Sequence, residues 1–353
     1  MRVVMIGAAR QGAALSRYLA EKGADVILND QRSDESLNDI RESLSDLNLT
    51  WITGSHPVDI LDGADLVCLS GGVPVQLPLV QEAIKRNISL SNDSQIFLEA
   101  VPCPVIGITG SAGKTTTTSL VGEIAKHHYN LRKPDASVWV GGNIGTPLIT
   151  DLDRMHEDDI VVMELSSFQL EIMSASPQIA TILNLTPNHL DRHGSMSEYV
   201  SAKTNILVNQ TTEDVAVLNR DDQNVRELYP EVNGRKITFG MNPPHDKQDS
   251  TYLKRRKIYL QANGQTANII TTDFINLRGE HNFITFWQRP PFQQPPSFQS
   301  RRFMRGSSVS REFPIGLNLL VPMEGQIGIT TRSQQRQKGL SQRLNLSVSR
   351  SFF

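Results

Sequence analysis

Cysteine is scarce in this sequence, with two in 353 residues, Cys68 and Cys103. Both lie in short apolar runs typical of buried strands, and two cysteines cannot build the framework of a small disulfide-rich domain. The sequence also lacks any run of 18 apolar residues, and no basic segment precedes an apolar core at its start. We therefore expect reduced thiols, no membrane span, no signal peptide and a cytoplasmic protein.

Excess charge is also missing, because 35 basic and 37 acidic residues leave a formal net charge of −2. This balance provides no electrostatic field that would hold a nucleic acid or another polyanion.

The charge is distributed unevenly along the chain. Residues 283–353 contain ten basic and two acidic residues and eight of the twelve phenylalanines, so this tail carries +8 and the first 282 residues carry −10.

Residues 105–120 are the most informative stretch, with an apolar run, a turn of small residues, a lysine, four threonines and then helical apolar spacing. A strand, a glycine-containing turn and a helix N-terminus present backbone N–H groups to a phosphate, while the lysine neutralises it and a threonine hydroxyl ligates Mg²⁺. Ile108 breaks the strict G-x-x-x-x-G-K-[ST] spacing, and a plain turn with a surface lysine is the alternative. The predicted nucleotide-binding residues are Gly110, Ser111, Ala112, Gly113, Lys114, Thr115, Thr116 and Thr117.

The first 30 residues predict a strand, a turn, a helix and a second strand, the opening of a doubly wound nucleotide-binding unit. Ala9 stands where G-x-G-x-x-G needs its second glycine, so a dinucleotide is not expected. Asp30 ends the second strand and could bind a ribose or a base, or could equally cap a turn. Pro102 and Pro104 suggest a hinge, so we predict domains at 1–101 and 102–282, the second with a parallel sheet.

Polar residues follow several other predicted strands of the second domain. Glu164 ends the strand over residues 159–163, where a carboxylate can hold Mg²⁺ or its waters. Asn143 follows two glycines in an expected turn, His189 follows the strand over residues 180–185, and Lys203 lies on a helix over residues 196–207. Taken alone, each has a structural alternative: a tight turn at Asn143, a structural histidine at His189 and a solvated lysine at Lys203. The basic run 254–257 predicts the solvated face of a hairpin.

Five ordered motifs within residues 1–282 resemble the Mur ligase family. They are Gly110-x-x-Gly113-Lys114-Thr115-Thr116, Gly141-Gly142-Asn143-Ile144-Gly145, the string from Glu164 to Glu171, Asn184-x-Thr-x-Asn-His189-x-Asp191-Arg192, and Ser201-Ala-Lys203. The string from Glu164 to Glu171 is similar to that of the branch that adds D-glutamate to UDP-N-acetylmuramoyl-L-alanine. The resemblance implies an α/β protein with a Rossmann-like UDP-binding N-terminal domain, a central P-loop ATPase domain and a Rossmann-like C-terminal domain.

The resemblance implies ATP-driven amide formation through an acyl phosphate, with ATP and Mg²⁺ as cofactors and UDP-N-acetylmuramoyl-L-alanine and D-glutamate as small-molecule partners. The implied catalytic residues are Lys114, Glu164, His189 and Lys203, and the implied metal ligands are Thr115, Glu164, His189 and a carbamylated Lys203. Carbamylation needs a neutral amine, so the site must lower the pKa of Lys203. The implied substrate contacts are Asp30, Gly72 and Asp93 at the uridine end, and Asn143 and Ser166 at the muramoyl group. We expect a monomer with no nucleic-acid or membrane partner.

The resemblance stops after Asn282, where the family continues into its third domain. Joining the third base of each codon to the first two bases of the next tests for a shifted reading frame. Across residues 282–289 the codons then permit Leu-His-Asn-Val-Leu-Ala-Ala, an apolar helical pattern, and residues 313–318 and 327–339 permit further family-like strings. We therefore hypothesise a one-base loss near codon 282, which leaves the C-terminal domain missing or scrambled and residues 283–353 poorly ordered.

Two other functions stay open on the sequence. One is another member of the superfamily, which adds a different amino acid or adds glutamate to folate. The other is a non-catalytic nucleotide-binding remnant, since loss of the third domain would remove ligase activity while the phosphate loop is kept.

Overall fold

The structure, a computed structural model, describes residues 1–272 of the chain. The predicted frame-shifted tail, residues 283–353, lies outside the described residues, as does the end of the predicted central domain. Within the described part, the strands form a five-stranded sheet followed by a nine-stranded sheet. The chain is thus an α/β protein, as the sequence predicts.

The first sheet is parallel throughout, and its strands have the order β3-β2-β1-β4-β5. Its strands are β1 (Arg2–Ile6), β2 (Asp25–Asp30), β3 (Leu49–Thr53), β4 (Leu66–Leu69) and β5 (Ser89–Ser91). The α-helices of this region are α1 (Arg10–Glu21), α2 (Asn38–Ser43), α3 (Pro78–Lys85) and α4 (Asp93–Ala100). The strand order reverses between β1 and β4, so a crevice opens at their carboxyl ends, the usual ligand position in a doubly wound sheet.

Helix α1 begins at Arg10, directly after the turn that follows β1, because Gly12 lets the helix lie against this turn. A Cβ at Gly12 would stand 1.9 Å from the carbonyl oxygen of Gly7. Strand β3 was not predicted. Its residues are mostly half-buried, so they show no clear alternation of buried and exposed positions.

The second sheet has the order β14-β13-β12-β11-β10-β9-β6-β8-β7. Its strands are β6 (Val105–Thr109), β7 (Val138–Gly142), β8 (Ile160–Glu164), β9 (Ile179–Ile182), β10 (Val215–Asn219), β11 (Arg235–Gly240), β12 (Ser250–Lys254), β13 (Lys257–Ala262) and β14 (Gln265–Thr271). The pairs from β7 to β12 are parallel, and β12, β13 and β14 form an antiparallel meander. The turn between β12 and β13 carries the basic run 254–257, whose residues are exposed as expected.

The helices of the second sheet lie on both of its faces. They are α5 (Lys114–Arg132), α6 (Ser167–Leu170), α7 (Leu190–His193), α8 (Met196–Val208) and α9 (Gln223–Glu227). Helix α5 packs on β6, β7 and β8 through residues such as Ala125 and Tyr129, which share a core with Ile106 and Ile108. Helix α8 packs on the opposite face, where Ile206 and Leu207 join the largest core cluster.

The largest core cluster extends across both sheets. It contains Val3 and Leu28 from the first sheet together with Ala180 and Leu218 from the second. Val101 and Cys103, in the segment with the two prolines, are also part of this core, so the expected hinge is packed rather than exposed. The domain boundary itself stays a prediction.

Polar contacts also join the two sheets. Gln169 donates to the hydroxyl of Ser94 at 2.7 Å, and Asn92 donates to the backbone oxygen of Gln169 at 2.8 Å. At the far side Lys22 pairs with Asp153 at 2.9 Å. These contacts and the shared core fix the crevice of the first sheet relative to the phosphate loop of the second.

Both cysteines are buried free thiols, and burial raises the pKa of Cys103 to about 12. In residues 1–272 no helix is both long enough and apolar enough to cross a bilayer.

Candidate functional site

The phosphate loop connects β6, which lies between β9 and β8 in the second sheet, to the N-terminus of α5. Gly113 precedes α5 with φ +81°, a conformation that suits glycine, and it provides no side chain to cap the helix. The N–H groups of the first turn of this 19-residue helix are therefore open toward the loop. A helix start of this kind favours a bound anion.

Contacts from the segment after β9 and from helix α8 hold the loop in shape. The side chain of Asn184, which follows β9, accepts from the N–H of Ala112 at 2.9 Å and donates to its carbonyl oxygen at 3.0 Å. The hydroxyl of Ser111 donates to the backbone oxygen of Thr186 at 2.8 Å and accepts from Tyr199 at 2.8 Å. Tyr199 is a loop contact that the sequence did not single out, whereas Asn184 begins one of the five family motifs but was given no role there.

Lys114 turns its side chain back over the loop. Its Nζ donates to the carbonyl oxygen of Gly110 at 3.0 Å. Burial lowers the pKa of Lys114, and the nearby carboxylate of Glu164 partly opposes this effect. The ammonium therefore lies where the phosphates of a nucleotide would meet the loop. Thr116 and Thr117 occupy the first turn of α5 beside it.

Glu164 forms the acidic side of the site at the end of β8. Its Oε2 accepts from the Thr115 hydroxyl at 2.8 Å, and its Oε1 accepts from the Asn143 amide at 3.1 Å. The carboxylate is almost fully buried, although Thr115 itself is exposed. Gly141 and Gly142 end β7 instead of forming the expected turn, because Gly142 pairs with Glu164 across the parallel ladder. This pairing brings Asn143 to the carboxylate.

Lys203 projects from α8 into the same interior and is 1% exposed. Its Nζ donates to the hydroxyl of Thr109 at 3.2 Å and lies 5.0 Å from the centre of the Tyr199 ring. Burial lowers the pKa of Lys203 to about 7, and the charge of Lys114 acts in the same direction. The alternative of a solvated helix lysine is therefore wrong.

His189 directly precedes α7 with φ +53° and packs its ring against Phe168, with 5.3 Å between the ring centres. Phe168 in turn stacks on His193, whose Nε2 is hydrogen-bonded to the Ser167 hydroxyl at 2.9 Å. Among the predicted metal ligands the structure thus joins Thr115 and Glu164 directly, while His189 and Lys203 lie against other neighbours. Within residues 1–272 no three His, Cys, Asp or Glu side chains are grouped as a metal centre.

An Mg²⁺–nucleotide complex fits these residues without such a cluster. Mg²⁺ keeps several waters and takes one or two protein oxygens when a phosphate supplies others. The Thr115 hydroxyl and the Glu164 carboxylate, in contact beside the helix N-terminus, are two such oxygens. The loop N–H groups and the Lys114 ammonium supply the complementary positive charge.

The predicted uridine-end residues lie at the first sheet. Asp30 accepts from the N–H of Ala8 at 2.7 Å and pairs with Arg32. Burial alone would raise its pKa, but the hydrogen bonds from Arg32 and Ala8 outweigh it and lower the pKa of Asp30 to about 2. The carbonyl oxygen of Gly72 accepts from Arg192, which follows His189, at 3.3 Å. This contact links the first-sheet crevice to the second sheet.

Asp93 opens α4, and its carboxyl is buried at the seam between the sheets. Its Oδ1 has no hydrogen-bond partner in the described part of the chain. Burial raises the pKa of Asp93 to about 6. Ser166 lies across the seam, where it caps α6 in a reciprocal capping box with Gln169. The predicted substrate residues are thus divided between the two sheets, which are in contact near Asp93 and Ser166.

Comparison with known proteins places the two sheets in known families. Residues 108–284 match the Mur ligase middle domain, and residues 1–92 match the MurD-like N-terminal domain of Mur ligases. The first match alone covers half of the chain.

Curated relatives agree with these matches. The UDP-N-acetylmuramoylalanine–D-glutamate ligase of Symbiobacterium thermophilum is 37% identical over 281 residues, covering 80% of this chain and 60% of the relative. The enzyme of the same name from Desulfitobacterium hafniense is 39% identical over 285 residues, covering 80% of this chain and 60% of the relative. The chain thus matches about 60% of the length of these relatives. From its two sheets, its phosphate loop and these matches, the chain belongs to the Mur ligase family.

Proposed function

We propose that this chain derives from an ATP-dependent ligase that adds D-glutamate to UDP-N-acetylmuramoyl-L-alanine. The observation that carries the proposal is the contact of Thr115 and Glu164 beside Lys114, at the start of α5. These residues form a magnesium-nucleotide site that borders Asn143. The names of the relatives supply the substrate pair.

In the proposed reaction the L-alanyl carboxylate attacks the γ-phosphorus of ATP, ADP leaves, and an acyl phosphate results. The amine of D-glutamate then attacks the acyl carbon, and inorganic phosphate leaves with loss of a proton from nitrogen. The chain contributes position and charge. Loop N–H groups and Lys114 hold the phosphates, which offsets the negative charge that builds during transfer. Mg²⁺, held by Thr115 and Glu164 with His189 and modified Lys203 as further ligands, would supply Lewis-acid charge at the transferred group.

Lys203 has the environment that carbamylation needs. A pKa of about 7 leaves a large neutral fraction near neutral pH, and only the neutral amine has the lone pair that attacks CO2. The Nζ lone pair forms the N–C bond, and one N–H proton leaves to solvent. The product is an anion in place of a cation, beside the Thr115–Glu164 pair.

The other substrate would bind along the crevice between the sheets. Asn143 and Ser166 would contact the muramoyl group, and Asp30, Gly72 and Asp93 the uridine end. We further propose that the partners are these small molecules, with no nucleic acid or membrane, and that the protein is a cytoplasmic monomer.

Nucleotide binding tests the site directly in the full 353-residue chain. We expect Lys114→Ala to weaken binding of a fluorescent ADP analogue by at least about tenfold, since one charge–phosphate contact is lost. Lys126→Ala is the matched control, because this exposed lysine on the same helix pairs with Glu123 and faces away from the loop. Equal affinity of the Lys114 and Lys126 variants would contradict the nucleotide site.

The second candidate, a nucleotide-binding remnant without ligase activity, is favoured by the composition of residues 283–353. We propose that the chain as written has little or no activity, because the frame shift removes the domain that closes over the nucleotide. The proposal is supported if the chain binds ATP but releases no phosphate when D-glutamate is added. Such release from the purified chain would refute it.

A further inference from the structure

Lys203 Nζ is held by one hydroxyl, at a distance of 3.2 Å from Thr109 Oγ1. Thr109 is the last residue of β6 and is fully buried, directly before the phosphate loop. In the described part of the chain this hydroxyl is the single hydrogen-bond acceptor recorded for Nζ. The direction of the Nζ hydrogen bond is therefore set by the Thr109 hydroxyl.

The Thr109 hydroxyl can act toward the lysine only as a hydrogen-bond acceptor. Its single proton is donated to the carbonyl oxygen of Leu165 at 2.8 Å. The oxygen therefore offers only lone pairs to Nζ and can accept but not donate. Because Leu165 directly follows Glu164, this bond also ties the orientation of the lysine to the segment that bears the acidic side chain.

A lysine carbamate retains one N–H on Nζ and places its two oxygens on the far side of that nitrogen. If the remaining N–H continues to donate to Thr109, rotation about the Cε–Nζ bond is fixed. The carbamate oxygens then point away from β6. A hydroxyl that can only accept, such as that of Thr109, favours this orientation because it binds the N–H of the carbamate. A hydrogen-bond donor at the same place would instead bind the carbamate oxygens and turn them toward β6.

We propose that Thr109 is the positioning residue of Lys203, and that its hydroxyl accepts the N–H of the lysine carbamate and so orients the new carboxylate. The inference rests on the proposed function, since it presupposes that Lys203 reacts with CO2. Thr109 touches neither nucleotide nor metal in this role and acts through the lysine alone.

The test measures carbamate directly rather than ligase activity. The full 353-residue chain is equilibrated with ¹³C-bicarbonate and Mg²⁺, and the carbamate resonance is recorded by ¹³C NMR, with Lys203→Ala as the blank. Thr109→Val keeps the size of the side chain and removes the acceptor. We expect it to lower carbamate occupancy about tenfold, the effect of leaving one buried N–H unpaired. Thr109→Ser retains the hydroxyl and should stay within about twofold of the unmodified chain.

Thr118→Val is the matched control. Thr118 is equally buried, but its hydroxyl has no partner in the described residues, so its loss should leave the carbamate unchanged. If Thr109→Val does not fold, Thr109→Cys, with similar size and a weaker acceptor, replaces it and should also lower the occupancy.

Each outcome decides a separate point. Full carbamate occupancy in folded Thr109→Val, or in Thr109→Cys, overturns the role of Thr109. The role is also overturned if Thr109→Ser loses as much carbamate as Thr109→Val. Absence of a Lys203-dependent resonance in the unmodified chain overturns the carbamylation of Lys203 itself, and with it this inference. Nucleotide affinity, measured on the same samples, shows separately whether the phosphate site is intact.

Discussion

At the scale of single residues, the site contains ionisable groups whose pKa burial has shifted from its usual value. Asp93 and Lys203 are the two clearest cases, with a pKa of about 6 for the carboxyl and about 7 for the amine. Both shifts are caused mainly by loss of water around the group. Such shifts mark positions where stability is given up, and they often coincide with functional positions.

The cost of Asp93 can be measured through its pH dependence. An unfolded Asp has a pKa of about 3.9, so between about pH 4 and pH 6 the folded state binds more protons than the unfolded state. The free energy of unfolding should therefore fall as pH rises through this window, and the loss should persist above it. We expect Asp93→Asn to raise the free energy of unfolding by about 1–3 kcal/mol at pH 7.5 and to give no gain below pH 4.

Urea unfolding from pH 4 to pH 8 checks this prediction, with Asp39→Asn on the exposed surface as control. A gain that is the same at pH 4 and pH 7.5 would mean that the effect comes from packing rather than from the buried charge.

Residue-level reasoning from the sequence found the groups that lie next to one another along the chain. The strand, the turn and the helix N-terminus between residues 105 and 120 were predicted because they are consecutive along the chain, while nucleotide binding by this loop stays a prediction. Thr109 and Tyr199 were not singled out, and Asn184 was noted only as part of a family motif, although the three residues hold the loop and the lysine. Their partners are 56 to 94 residues away, and only the folded sheet brings them together.

At the scale of elements, the turns carry the conformational demands of the fold. Gly113, at the start of α5, needs φ +81°, and an alanine there is strained by about 1–2 kcal/mol. Sequence patterns predict such turns better than strand ends. Gly141 and Gly142 were expected in a turn, but pairing with β8 extends β7 through them, since ladder hydrogen bonds outweigh the weak local preference of glycine.

We expect Gly113→Ala to lower the free energy of unfolding by about 1–2 kcal/mol and to weaken ADP binding by at least about tenfold, because the loop must shift to relieve the strain. Gly54→Ala is the control. Gly54 has φ +79° and open space around it, so the backbone strain is matched while the phosphate loop is untouched. Nucleotide titration and urea unfolding separate the two effects. An equal loss of affinity in both variants would refute the local explanation.

The two hairpins of the second sheet form a natural comparison. The turn between β13 and β14 is Asn263-Gly264, with φ +51° and +74°, the preferred pair for a two-residue hairpin turn. The turn between β12 and β13 is Arg255-Arg256, with φ +48° and +62°. Two arginines in the left-handed region are strained, whereas Asn-Gly is not.

Replacing Arg255-Arg256 with Asn-Gly should therefore raise the free energy of unfolding by about 1–3 kcal/mol. The reverse exchange, Asn263→Arg with Gly264→Arg, should lower it by a similar amount. Urea unfolding measures both. A stabilised arginine pair at 263–264 would contradict the argument from backbone conformation.

At the scale of the whole molecule, the chain combines an ordered set of family motifs with a tail of different composition. The fold class and the parallel parts of both sheets follow from strand–helix alternation. The antiparallel meander from β12 to β14 departs from the predicted parallel sheet, and β3 was missed because its half-buried residues lack a pattern. The hypothesis of a frame shift depends on the genetic code rather than on structure. It concerns residues 283–353, which lie outside the described residues.

DNA sequencing across codons 275–290 decides the frame. We expect one base to be missing there relative to a continuous family-like reading. A chain with the frame restored should show phosphate release that depends on D-glutamate and UDP-N-acetylmuramoyl-L-alanine, while the 353-residue chain should show at least about a hundredfold less. An intact frame in the gene would refute the frame shift, whatever the activity.

The shared core has a consequence for how the protein comes apart. Val3 and Leu28 of one sheet and Ala180 and Leu218 of the other belong to a single apolar cluster that also includes Val101 and Cys103 of the connecting segment. The two sheets look like two separate modules, but because they share one core they should unfold together in one cooperative step. A protease cut near Pro102 would expose apolar surface on both products, so excised single modules would be poor starting points for crystallisation or ligand screening.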